Sequence, residues 1–83
     1  MEILHDIAAG RFYHQTSQGI ECNLYYLRED SKLLEICAVD VPESVRKSGI
    51  GLELIMAAKE YAQKHNYIII PHCGYAKKVL EEK

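Results

Sequence analysis

One amphipathic stretch in the second half of the chain decides most of what it can fold into. Leu54, Ile55, Ala58, Tyr61 and Ala62 recur at helical spacing, with Glu53, Lys59, Glu60, Gln63 and Lys64 on the opposite side. That is the pattern of a helix laying one stripe on a core. His65 and Asn66 follow it, an imidazole that suits a helix C-terminus and a residue that tolerates the left-handed backbone closing one. Strand-like runs bracket the stretch. Upstream, Leu33 to Val41 is apolar at both alternations, with Leu34, Ile36 and Ala38 against Leu33, Cys37, Val39 and Val41, as expected of a central strand covered on both faces. Pro42 ends it, because proline lacks a ladder donor and disfavours helical angles at Val41. Downstream, Tyr67-Ile68-Ile69-Ile70-Pro71 reads as a short buried strand. A helix between two such strands is a crossover that lays the last strand beside the third.

The first half supplies antiparallel partners. Arg11 to Gln15 is a short extended run, Thr16-Ser17-Gln18-Gly19 has turn chemistry, and Ile20 to Leu27 alternates with Ile20, Cys22, Leu24 and Tyr26 on its apolar side. Arg28 to Lys32 is a polar connection of hairpin length. Tyr75, Ala76, Val79 and Leu80 repeat at helical spacing in a terminal helix from Tyr75 to Glu82. The expected fold is α+β, a mixed and mostly antiparallel sheet with two C-terminal helices. With 83 residues, the chain has length for one hydrophobic core, so residues 1–83 are expected to form a single domain.

Charge and composition narrow the function. Ten basic and twelve acidic residues leave a net charge of -2, without the basic excess of a nucleic-acid partner. No apolar run approaches the roughly 20 residues of a membrane crossing. Cys22, Cys37 and Cys73 are odd in number and lack framework spacing, and no apolar leader precedes them; Cys22 and Cys37 read as core, and the chain as a reduced, cytoplasmic protein. His5, His14, His65 and His72 form no metal-binding array, so no metal is expected.

The segment that carries chemistry is Arg46-Lys47-Ser48-Gly49-Ile50-Gly51, set between the end of the third strand and the start of the long helix. Glycines at alternate positions keep a helix start uncrowded, where unpaired N–H groups and the helix dipole favour an anion. Arg46 and Lys47 add formal charge. The Walker pattern fails, because no Gly-Lys-Ser/Thr follows the first glycine. The dinucleotide fingerprint fails too, because its third glycine would fall at Leu54. The loop suits an anion such as a diphosphate, or else Gly49 and Gly51 only permit a tight turn and close helix packing.

Arg-x-x-Gly-x-Gly opening an amphipathic helix just after a strand resembles the coenzyme-A signature of the GCN5-related N-acetyltransferases. With Val41-Pro42 before it and Pro71-His72-Cys73-Gly74-Tyr75 after the last strand, the chain resembles the short single-domain group of that superfamily from Gly10 onward. Lys47 and Ser48 replace a commoner glycine and polar pair, and Gly74 replaces a proline. The resemblance implies an acetyl-CoA-binding protein that transfers acetyl to an amine, a small molecule or a protein residue. The diphosphate would rest on Arg46, Lys47, Ser48, Gly49, Ile50 and Gly51. The pantetheine arm would pair, as an added strand does, with backbone around Ala38, Val39 and Val41. Tyr75 is the implied acid that protonates the departing thiolate.

For the base, Glu35, Asp40 and His72 all stay open, as does water. Cys73, at a strand end beside a helix start, offers an acetyl-cysteine as a second route or else packs as a small hydrophobe. His72 is not expected to serve it, since neighbours on a strand point to opposite faces. The alternatives to an enzyme are a non-catalytic coenzyme-A-binding module and a small interaction domain. The acceptor and the oligomeric state stay open.

Overall fold

The computed structural model describes residues 1–82. Five strands, β1 (Leu4–Asp6), β2 (Arg11–Gln15), β3 (Glu21–Leu27), β4 (Leu33–Asp40) and β5 (Ile68–Pro71), form one sheet in chain order. The first four are antiparallel, and β5 joins β4 in parallel through the crossover helix α1 (Ile50–His65). Helix α2 (Gly74–Glu82) closes the chain. This is the mixed, mostly antiparallel α+β architecture expected from the sequence.

Alternation writes the core. Phe12 on β2, Cys22, Leu24 and Tyr26 on β3, and Leu34 and Ile36 on β4 are buried on one face of the sheet. They meet Ile50, Leu54, Ile55, Ala58 and Ala62 of α1, and Ala76 and Val79 of α2 join the same cluster. The helix ends where the sequence says it should. Asn66 takes a left-handed backbone at φ 60°, and its N–H reaches the carbonyls of Ala62 and Gln63.

Three expectations need correction. Strand β1 was not legible, because Leu4-His5-Asp6 has too few residues to show a period and owes its conformation to pairing with Phe12 and its neighbours. The β4 strand is covered on one face rather than both: Cys37, Ala38 and Asp40 are exposed, and Tyr25, Leu27 and Ile68 leave the face away from α1 open. Cys37 is therefore not a core residue. Tyr25 pairs with Ala38 and Tyr26 with Ile36, so Cys37 is the extra residue of a β-bulge that turns it outward.

Candidate active site

The bulge lies where the sheet divides. Leu33, Leu34, Glu35 and Ile36 pair with Ile68, Ile69, Ile70 and Pro71, and the last bond across this pair runs from the His72 N–H to the Ile36 carbonyl at 2.9 Å. Beyond it the chain leaves for α2, whereas β4 runs on to Asp40, paired on its other side with β3. The β5-side edge of β4 from Cys37 onward thus lies past the end of the ladder, with polar backbone groups that require a partner or solvent.

The expected open loop is partly helical. Glu43–Ser48 form a 3-10 helix that ends on Gly49, whose φ of 85° favours glycine. Gly49 is also the residue from which α1 starts, and no side chain caps that start. The Glu53 N–H is bonded to the Gly49 carbonyl. The amides of Ile50, Gly51 and Leu52 are the first-turn donors that have no intrahelical acceptor. The Ser48 hydroxyl donates to the Val45 carbonyl at 2.6 Å, Lys47 is exposed, and Arg46 donates through Nε and Nη2 to the Val41 carbonyl at 3.4 Å each. These last contacts tie the guanidinium to the end of the strand.

Between these parts lies a cleft of about 300 Å³ walled by Val39, Val41, Arg46, Gly51 and Tyr75. Val39 pairs with core-facing Leu24 and so projects on the α1 side, whereas Ala38 and Asp40 project on the other and offer the cleft only backbone. Tyr75, in the first turn of α2, brings its ring against the start of α1. A Cβ built on Gly51 would stand 3.0 Å from both Cε2 and Oη of that ring. Gly51 is thus the residue whose missing side chain lets the phenol reach the cleft.

Cys73 is not part of this wall. It packs against the apolar cluster, and its carbonyl accepts the Lys77 N–H at the start of α2. His72 faces the other way and holds Glu35, with Nε2 and Oε1 2.9 Å apart. Sequence reasoning left those two as separate candidates for a base; the structure joins them. Only their placement on adjacent parallel strands, Glu35 against Ile70, could have signalled the pair.

The five-stranded mixed sheet thus opens beside a helix start that no side chain caps. The profile of the GCN5-related N-acetyl-transferase family matches residues 11–83, and the chain belongs to that family. It is similar to a GCN5-like protein from Staphylococcus aureus solved by NMR, with 27% identity, a TM-score of 0.77, and an alignment covering 98% of this chain and 78% of that one.

Proposed function

We propose that the chain binds acetyl-CoA and transfers its acetyl group to an amine. The observation that carries this reading is the cleft itself, which sits where β5 leaves β4 and is walled by Val39, Val41, Arg46, Gly51 and Tyr75. The residues present fit the coenzyme. First-turn amides of α1, with the side chains of Arg46 and Lys47, suit a diphosphate. The edge of β4 around Ala38 to Val41 suits the amides of an extended arm.

The bound coenzyme supplies an activated acetyl thioester. The protein's part is chiefly to place the acceptor nitrogen beside it, and positioning of this kind supplies about 7 to 11 kcal/mol of barrier lowering. Backbone N–H groups past the bulge are suited to the oxygen on which charge gathers. Tyr75, on the cleft wall, is suited to give its proton to the sulfur as it departs. Direct transfer is favoured over an acetyl-cysteine, because the Cys73 side chain packs on the core and not on the cleft wall.

Calorimetry of acetyl-CoA binding to the wild type and to Gly49→Glu tests the binding half. Salt-sensitive binding is expected in the first and none in the second, and equal affinities would remove the helix start from the reading. Mass spectrometry of an amine panel incubated with acetyl-CoA and protein tests the transfer half. Binding without acetylated product would make the chain a coenzyme-binding module.

A further inference from the structure

We infer that the chain pairs with a second copy of itself through the open face of its sheet, the face away from α1. An antiparallel sheet that rests one face on a core ordinarily turns polar side chains outward on the other. Here the outward positions of three neighbouring strands are largely apolar. Tyr25 and Leu27 of β3 alternate with core-facing Leu24 and Tyr26 and are 41% and 48% exposed, and Ile68 of β5 is 59% exposed. Leu33 and Glu35 alternate with core-facing Leu34 and Ile36, so their partners across the ladder, Ile68 and Ile70, share the outward face. A connected apolar patch of this breadth marks an interaction surface.

The area fits a dimer. Five strands about 4.8 Å apart, the longest of eight residues rising about 3.3 Å each, offer a face of roughly 24 by 26 Å. Two such faces bring together on the order of 1,200 Å², enough for a stable specific interface. Both helices pack against the opposite face, so no element among the described residues covers this one.

The charges select a second copy and set its orientation. Arg11, opposite Tyr25 on β2, reaches Asn23 Oδ1 at 2.6 Å and Glu21 Oε1 at 3.0 Å, with its guanidinium 4.0 Å over the Tyr13 ring. Asp40 lies on the other side of Asn23, exposed on β4, and pairs with no cation among the described residues. A held cation one strand to one side of β3 and a carboxylate one strand to the other make the face complementary to itself. A two-fold axis running along β3, between the two sheets, sets β2 of each copy over β4 of the other, and Arg11 over the partner's Asp40. Tyr25 and Leu27 then meet their own counterparts at the centre of the interface, where buried anchors contribute most. The turn between β1 and β2, with Ile7 68% exposed, reaches the end of the sheet that holds Leu33 and Ile68, and comes against the partner's Ile68. The cleft of each copy stays outside, on the α1 side.

Sedimentation velocity of the wild type from about 1 to 200 µM tests the pairing, and the mass is expected to move from 9.5 kDa toward twice that value. Leu27→Lys, at an exposed position, should weaken association at least about tenfold by setting two ammonium groups on the axis. Asp40→Arg should weaken it by a similar factor, and the double variant Arg11→Asp/Asp40→Arg, which exchanges the two charges, should restore it to within a few-fold. Circular dichroism reports the folding of each variant. Should the others fail to fold, Asp40→Arg decides, since the carboxylate it replaces makes no ion pair among the described residues. A wild type that stays at 9.5 kDa up to the highest concentration overturns the proposal and leaves the face to a different partner. A dimer that Leu27→Lys leaves intact overturns the face, and one that Asp40→Arg leaves intact overturns the orientation.

Discussion

A methyl group placed at Gly51 would meet the ring of Tyr75 at 3.0 Å, and the ring, half-exposed, can swing away. Gly51→Ala is therefore expected to keep its stability within about 1 kcal/mol, since alanine's helix preference of about that size offsets the crowding. Its kcat should fall, because the phenol no longer stands in the cleft. A thermal melt and a transfer assay on the same sample check both halves. Leu24 and Ile36 make the contrast. Both are fully buried between sheet and helices, and truncation of either to alanine should cost about 2 to 5 kcal/mol, read as a shift in the denaturation midpoint. The sequence exposed these two as core through strand alternation. It was silent on the distance between Gly51 and Tyr75, which depends on how two helices meet rather than on either helix alone.

Among the elements, β1 is held by an imidazole. His5 stacks on Phe12 with centroids 3.9 Å apart, meets the edge of Tyr61 at 4.5 Å, and shares a 2.6 Å hydrogen bond between Nε2 and the Tyr26 hydroxyl. Burial pushes its pKa below the ordinary histidine value, opposed by Asp6 and assisted by His65. A folded-state pKa below the unfolded one means that the unfolded chain binds more protons as the medium acidifies. The contribution of His5 is then complete above about pH 6.5 and is lost as the pH falls below it. Melting temperature measured from pH 7.5 to 5 should drop more steeply in the wild type than in His5→Leu, even though the variant starts lower; parallel curves would remove His5 from the account. The long helix was readable from its stripe and the antiparallel strands from their alternation. What escaped was a three-residue strand, with no period of its own, and a bulge, which is a mismatch between two strands and is written in neither.

At the scale of the whole molecule, a domain of this size has little stability to spare, and a ligand that binds only the folded form adds to it visibly. Acetyl-CoA at a hundred times its dissociation constant should contribute about 2.7 kcal/mol. For a domain in this size range that is a rise in melting temperature of roughly 10 °C or more. Scanning calorimetry with and without the coenzyme checks it, and the shift should shrink with added salt. The bulge at the fork has a practical consequence as well. Cys37 is exposed there, Cys73 is half-covered and Cys22 is buried, so the native protein presents three thiols in graded accessibility. The exposure of Cys37 should let a maleimide attach a fluorophore beside the fork without mutagenesis, giving an optical reporter of nucleotide arrival.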